Sequence, residues 1–199
     1  LRRSTVSPLS KQSRQNMARF AVFICLCFCA MFAASAFGAL HNQISFTVGA
    51  SYFYDVKFAQ FGIDPVLQNR VGAALVGALA SWWMGLLMGL PAFGLGLFTQ
   101  AGRRRYFYAG LKSIWIAVSI AAIGAFIGLA FGFIADINTL VGYLPMIDAF
   151  SNPIGFVRAA IMHEASYFGG ALGALAALYV MWRERPANFK QGEYHAPTE

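Results

Sequence analysis

The residues best able to support chemistry in this sequence are two histidines, His41 and His163, and their polar neighbours. Two imidazoles from different helices can ligate haem iron or, together with a carboxylate, a metal ion. Neither histidine belongs to a metal-binding motif such as HExxH, so hydrogen bonding to backbone or to Glu164 is the competing interpretation. We predict no cofactor and keep haem or a metal on this pair as the alternative. The candidate polar cluster comprises His41, Gln43, His163, Glu164 and Tyr167.

Other catalytic chemistry has little support in the sequence. It contains no phosphate-binding loop, nucleophile elbow or zinc-protease motif, and we predict no catalytic residue. Ser81 and Ser119 are the main polar residues in the middle of the apolar runs, where no charged residue lies clearly at the centre. Proton-coupled pumps place titratable groups there, so the sequence argues against a pump. Cys25, Cys27 and Cys29 are interpreted as small apolar residues.

Four apolar runs must position these side chains, and they indicate a membrane protein. The chain has 199 residues, of which 58% are hydrophobic and 12% are charged, about half the charged share of a typical soluble domain. A helix needs about 20 apolar residues to cross a bilayer. The sequence therefore predicts an all-α membrane protein with four transmembrane helices. The runs cover residues 20–40, 71–98, 114–135 and 161–182.

The basic residues lie mainly on one side of these runs. Of the 15 Lys and Arg residues, Lys57, Arg70 and Arg158 alone fall on the other side. The positive-inside rule places both termini in the cytoplasm, and charges in flanking positions indicate topology rather than nucleic-acid binding. We predict a multi-pass protein of the bacterial cytoplasmic (inner) membrane. Its segments are a cytoplasmic N-terminal segment 1–19, a transmembrane domain 20–185 with an outer cap 41–69 and an outer connection 136–152, and a cytoplasmic tail 186–199.

The N-terminal region leaves two alternatives open. The basic start, the apolar run and the Ala34-Ser35-Ala36 sequence resemble a secretory signal with a small-residue cleavage site. The apolar run of about 20 residues exceeds the usual signal core of about 7–15, which favours a retained helix. Residues 1–19 also contain Arg and Ser without acidic residues, as organelle transit peptides do. The mitochondrial inner membrane is therefore the alternative location.

The predicted outer cap 41–69 is unusually aromatic. His41 is expected to end the first helix, and residues 44–48 alternate in polarity as a short strand does. Asp64-Pro65 and Asn152-Pro153 predict helix starts and extend the second and fourth helices beyond the hydrocarbon core of about 30 Å. The aromatic side chains would pack on the helix ends, or they would form a docking surface for a partner or a lipid.

Small residues recur at four-residue spacing on three of the predicted helices. Such spacing lets two helix backbones approach closely in a membrane. Packing within one four-helix bundle is the simpler interpretation, and association of two chains through the same glycines is the alternative. The predicted packing glycines are Gly85, Gly89, Gly124, Gly128, Gly132, Gly169 and Gly173.

Part of the sequence resembles a group of bacterial membrane proteins of uncharacterised activity. The residues concerned are the stretch 41–48, Tyr52-Phe53, Lys57-Phe58, Gln60-Phe61-Gly62, the Trp82-Trp83 pair and the stretch 163–170. The group has a His-x-Gln segment after its first helix and then a Lys-Phe-x-Gln-Phe-Gly stretch. The resemblance implies a four-span fold and no particular activity.

The sequence favours a non-enzymatic function. The predicted role is a structural, assembly or interaction subunit that uses the outer cap, since intramembrane polar groups are scarce and the cap is distinctive. Its partner would be another membrane protein or a second copy of the chain, besides the lipid bilayer. The alternatives are a small oligomeric transporter or channel and a histidine-ligated haem or metal protein in electron transfer.

Overall fold

A computed structural model describes residues 8–100, 102–142 and 149–186, with side chains described from residue 12 onward. In that part of the chain there is no strand, and four long helices dominate. Residues 1–7 of the predicted N-terminal segment 1–19, residues 143–148 of the predicted outer connection and residues 187–199 of the predicted tail 186–199 lie outside the described residues. The long helices are α1 (Pro8–Val48), α2 (Arg70–Thr99), α3 (Arg103–Ile134) and α4 (Pro153–Arg183).

Short helical elements connect the long ones. A π-helix, Tyr52–Lys57, continues into one α-helical turn, Phe58–Gln60, and a 3-10 turn, Pro65–Leu67, precedes α2. A short helix, Ile137–Gly142, follows α3. All four long helices are long and apolar enough to cross a membrane, which indicates a multi-pass membrane protein.

The predicted strand at residues 44–48 is wrong, because α1 continues through Val48. The polar side chains of this stretch bond within the helix instead of across a ladder: Thr47 Oγ1 donates to the Gln43 carbonyl at 2.9 Å. Gly49 N donates to the Ser45 carbonyl at 2.9 Å and closes the last turn. His41 therefore lies two turns inside α1 and does not end it.

The second helix starts later than Asp64-Pro65 predicts. Asp64 does cap a turn, since its carboxylate accepts from Val66 N at 2.8 Å, but that turn is 3-10 and ends at Leu67. Asn69 caps the long helix and accepts from Val71 N at 2.7 Å. The fourth helix begins at Pro153 as predicted, with Asn152 as its cap.

Glycines join the long helices into two tightly packed pairs, α1 with α2 and α3 with α4. A Cβ added at Gly38 would lie 2.3 Å from the Gly77 carbonyl oxygen, so these two backbones touch. In the second pair, Gly124 and Gly169 lie against the backbone of the facing helix in the same way. Of the other predicted glycines, Gly85 packs on α1, Gly128, Gly132 and Gly173 lie between α3 and α4, and Gly89 faces Phe93 of its own helix.

The bundle has two chemically different ends. The end at which α2 meets α3 carries three consecutive arginines, residues 103–105, and is called the arginine end below. There the buried Tyr106 hydroxyl donates to the Phe93 carbonyl at 2.6 Å. Gln100 donates to the Met181 carbonyl at 3.2 Å and ties α2 to α4. These contacts close the core at that end. The opposite end, where α1 stops at Val48 and α4 starts, holds both histidines and is called the histidine end below.

Candidate functional site

His41 of α1 and His163 of α4 are in direct contact. Their ring centroids are 4.4 Å apart with an interplanar angle of 71°, and the two residues are 5% and 7% exposed. Counted along the helices at 1.5 Å per residue, they lie about 30–33 Å from Arg183 and Arg19. That distance matches the hydrocarbon thickness of about 30 Å, so the pair lies near the membrane boundary opposite the arginines.

Two glycines allow the helix ends that carry this pair to approach each other. A Cβ added at Gly49, just after α1, would lie 1.9 Å from the Gly155 carbonyl oxygen in the first turn of α4. Ser51 Oγ donates to the Asn152 carbonyl at 2.9 Å and reinforces the same junction. A larger residue at Gly49 would separate the two helix ends and with them the two imidazoles.

His163 is held on two sides. Its Nε2 lies 3.1 Å from Ser45 Oγ on α1, and its ring stacks on Tyr52 with centroids 4.8 Å apart. Ser166 Oγ donates to the His163 carbonyl at 2.7 Å. The hydrogen bond and the stack fix the orientation of the imidazole.

His41 is less completely bonded. Its Nδ1 lies 3.5 Å from Asn42 Oδ1, while Asn42 Nδ2 donates to the Ala73 carbonyl at 2.8 Å and thereby sets the amide orientation. The Met162 carbonyl lies near the His41 ring. Nevertheless, Nε2 of His41 is buried without a hydrogen-bond partner among the described residues.

The structure brings three residues of the predicted polar cluster together and places the other two elsewhere. His41 and His163 touch, and the Tyr167 ring is 6.3 Å from the His163 ring. Gln43 faces α2 instead, where its side chain donates to the Arg70 carbonyl at 3.0 Å. Glu164 is exposed on α4, about 100° around the helix from His163.

Several residues of the site were not predicted from the sequence. Asn42 and Ser45 belong to the histidine end because α1 continues past His41, which puts positions 41 and 45 on one helical face. That polar spacing was a usable signal, but the strand prediction concealed it. Tyr52 and Lys57 reach the site from the π-helix; both lie in segments that carry the resemblance to other bacterial membrane proteins, but no helical spacing in the sequence pointed to their place beside the histidines.

Lys57 brings a positive charge to the site. Its Nζ donates to Gln60 Oε1 at 2.9 Å and lies 5.2 Å from the Tyr52 ring centroid. Burial lowers the pKa of Lys57, and attraction to Glu164 partly opposes that shift. Burial raises the pKa of Tyr52, so its hydroxyl stays protonated at neutral pH.

The π-helix that carries Lys57 is anchored to the start of α4. The carboxylate of Asp55 accepts from Ser151 N at 2.8 Å and from Ser151 Oγ at 2.9 and 3.1 Å. Phe53 and Phe58 are buried beneath the same segment. Much of the aromatic content of the predicted outer cap therefore packs inward on the helix ends.

A cavity of about 580 Å³ extends from this polar group into the bundle. It runs along α4 from His163 to Ala177, which is about 21 Å at 1.5 Å per residue. The cavity is therefore a narrow slot parallel to the helices. The middle of its wall is apolar, with Trp83, Met84 and Met88 from α2.

The slot reaches the surface of the bundle between the two helix pairs. Leu79 and Trp83 of α2 line it and are 49% and 47% exposed, and Tyr167 of α4 is 39% exposed. Towards the arginine end it stops at buried Phe93 and at Ser113. A molecule within the membrane could thus enter from the side.

The haem and metal alternative depends on which metal-ligating side chains lie close together. No group of three His, Cys, Asp or Glu close enough to hold a metal ion occurs among the described residues. The edge contact between the two imidazoles leaves no space between them for a macrocycle, and Glu164 is exposed rather than joined to them. The arrangement is better suited to hydrogen bonding with a ligand than to ligation by both rings.

Comparison of the chain with protein-family models, curated proteins and solved structures found no match.

Proposed function

We propose that the protein binds an elongated amphiphilic molecule from the membrane, with its chain in the slot and its polar head beside the histidine pair. One observation carries this proposal: a single cavity joins an apolar slot to a cluster of buried polar groups. Its volume lies within the range of about 300–1,000 Å³ of small-molecule sites, which combine apolar walls with a few polar groups.

The wall of the slot suits a flexible chain. Met84 and Met88 have unbranched side chains that adapt to irregular shapes, and Trp83 offers a flat apolar surface. Burial of apolar surface contributes about 25 cal/mol per Å² when the alternative is water. A lipid chain gains less on leaving the bilayer, so we expect the polar head to determine which molecule binds.

The closed floor favours a binding compartment over a channel. Phe93, Tyr106 and Met181 are each no more than 1% exposed and fill the bundle towards the arginine end. The proposal also differs from an assembly role based on the outer cap. Two large aromatic side chains of that segment, Phe53 and Phe58, are buried and cannot contact a partner.

Fluorescence quenching of Trp83 tests the proposal. Trp83 lines the slot and Trp82 does not, although the two are similarly exposed at 47% and 42%. A dibrominated stearyl chain, supplied as the alcohol and as the acid, is titrated into the protein in neutral detergent. We expect a saturable quenching component that Trp83→Phe removes and Trp82→Phe retains.

Two results would overturn the proposal. One is the absence of a saturable component with either probe, and the other is an equal reduction of that component by Trp83→Phe and Trp82→Phe. In the second case the probe senses the detergent-covered surface and not the slot.

We further infer that the histidine end faces away from the cytoplasm of a bacterial inner membrane. The basic side chains at the arginine end, among them Arg103, Arg104 and Arg105, support this orientation by the positive-inside rule. Alkaline phosphatase fused after Gly62 should be active, and the same enzyme fused after Gly102 should be inactive. The opposite pattern would reverse the orientation.

A further inference from the structure

The geometry points to a negatively charged headgroup, a carboxylate or a phosphate monoester, held by the Lys57 ammonium beside the histidine pair. This inference rests on the proposed binding of an amphiphile and specifies its chemical class. Tyr52 connects the two parts of the site, since its ring centroid is 4.8 Å from the His163 ring and 5.2 Å from Lys57 Nζ.

The ionisable side chains described in the cavity wall include basic groups and no carboxylate. In the described part of the chain the wall contains Lys57, His41 and His163 but no Asp or Glu. Two carboxylates close to Lys57 in the sequence or the fold do not pair with it: Asp55 is bonded to Ser151, and Glu164 attracts Lys57 but forms no ion pair with it within 4 Å. A negative headgroup complements this wall, whereas a positive one would be repelled.

Lys57 retains hydrogen-bonding capacity for such a headgroup. An ammonium has three donors, and a single side-chain hydrogen bond, to Gln60, is formed within the described residues. Partial burial removes water from the ammonium, and Glu164 attracts it without pairing with it, so burial still disfavours the charged form. An anionic oxygen would replace the lost hydration with a charge-assisted hydrogen bond, which is stronger than a neutral one.

His41 provides a second, independent observation. Its Nε2 is buried and forms no hydrogen bond of ordinary geometry among the described residues, although the Met162 carbonyl lies near the ring, and the residue lines the cavity. Buried polar atoms without partners are rare in native proteins because they lose the hydrogen bonds they make with water. A polar headgroup atom at the top of the slot would complete the bonding of this imidazole.

The experiment compares head groups on one chain. Dibromostearic acid, dibromostearyl phosphate and dibromostearyl alcohol are titrated separately, and quenching of Trp83 gives a dissociation constant for each. We expect at least one of the two anions to bind about tenfold more tightly than the alcohol. The anion that binds more tightly then shows whether the ligand resembles a fatty acid or a phosphorylated lipid.

Substitutions at Lys57 locate the charge preference. Lys57→Gln should bring the favoured anion to the affinity of the alcohol, whereas Lys57→Arg should preserve the preference. Lys112→Gln makes the same charge change at the arginine end, where Lys112 pairs with Glu184, and should leave the preference intact. Elution volume and far-UV circular dichroism identify any variant that fails to fold.

The outcomes separate this inference from the proposed function. Equal binding of acid, phosphate and alcohol, with saturable quenching of Trp83, would reject the anionic headgroup while preserving amphiphile binding. A preference for an anion that survives in Lys57→Gln would also reject it. Absence of saturable quenching by all three probes would instead reject the proposed function itself.

Discussion

Within each helix pair backbone touches backbone, whereas between the pairs a slot remains. Gly169 and Gly170 show the difference at adjacent positions of α4. A Cβ added at Gly169 would lie 2.8 Å from the Ile120 carbonyl oxygen of α3, while one at Gly170 would meet no atom closer than 3.6 Å, in the flexible Met88 side chain. The same residue type therefore lies against backbone at one position and leaves room for a side chain in ordinary van der Waals contact at the next.

The difference shows what each region contributes. Contacts between backbones have little freedom to adjust, so the pairs α1–α2 and α3–α4 form rigid walls. The slot between them is lined on one side by Met84 and Met88, whose side chains can rearrange around a guest. A rigid frame and an adaptable lining are both useful for holding a flexible ligand.

The largest expected effect is inside a helix pair. In Gly77→Ala the new Cβ would lie 2.1 Å from the Gly38 carbonyl oxygen, so the two backbones must separate. We expect a loss of about 3 kcal/mol or more in the free energy of unfolding, at the upper end of overpacking effects. Titration with sodium dodecyl sulfate, followed by circular dichroism, measures this loss.

Gly94→Ala is the matched control on the same helix. A Cβ there meets nothing within 4 Å, so we expect a neutral effect or a gain of up to about 1 kcal/mol from the higher helix propensity of alanine. Equal destabilisation by the two substitutions would contradict the close contact between α1 and α2.

Gly169→Ala and Gly170→Ala compare the two regions directly. We expect Gly169→Ala to destabilise the protein by about 1–3 kcal/mol through overpacking against α3. Gly170→Ala should stay within about 0.5 kcal/mol of the parent, as substitutions without a steric conflict usually do. The same unfolding titration measures both, and similar losses at the two positions would show that the α2–α4 side is packed as tightly as the α3–α4 side.

Filling the slot should affect binding more than stability. Gly170→Leu places a branched side chain beside Met88, where the slot has room for it. We expect the dissociation constant of the dibrominated probe to rise about tenfold, equivalent to about 1.4 kcal/mol. Unchanged probe affinity in a folded Gly170→Leu variant would place the probe elsewhere on the protein.

The smallest expected effect lies outside both regions, at the arginine end. Lys112 Nζ lies 2.6 Å from Glu184 Oε1, and this hydrogen bond lowers the pKa of Glu184 below its ordinary value of 4.5. Since the pKa is lower in the folded state, the contribution is complete above that ordinary value and disappears as pH falls through the folded pKa.

Glu184→Gln should therefore cost no more than about 1 kcal/mol at neutral pH, because the pair is largely exposed. The cost should vanish in acid, where the parent carboxylate is protonated as well. A double-mutant cycle with Lys112→Gln measures the coupling between the two residues, and a coupling energy that did not change with pH would show that the ion pair is not its source.

The sequence by itself determined the four long helices and their approximate positions. Apolar runs of this length have few alternatives in a membrane, because every backbone polar group must be bonded within its own segment. It also indicated that His41 and His163 lie at one end of the bundle, since His41 follows the first apolar run and His163 begins the fourth, both on the side opposite the basic residues. The four-residue spacing of Gly124 and Gly128 likewise predicted their role in helix packing.

The tertiary structure decided how these pieces form a site. Whether α1 stops at His41 or continues to Val48 depends on its packing against the start of α4, where Gly49 meets Gly155. The position of Lys57 depends on a π-helix whose Asp55 is bonded to Ser151, 96 residues away. The slot itself is set by which faces of the helices meet. The periodicity of a sequence segment identifies the apolar face of that one helix. The space between two helix pairs depends instead on contacts between residues of different segments.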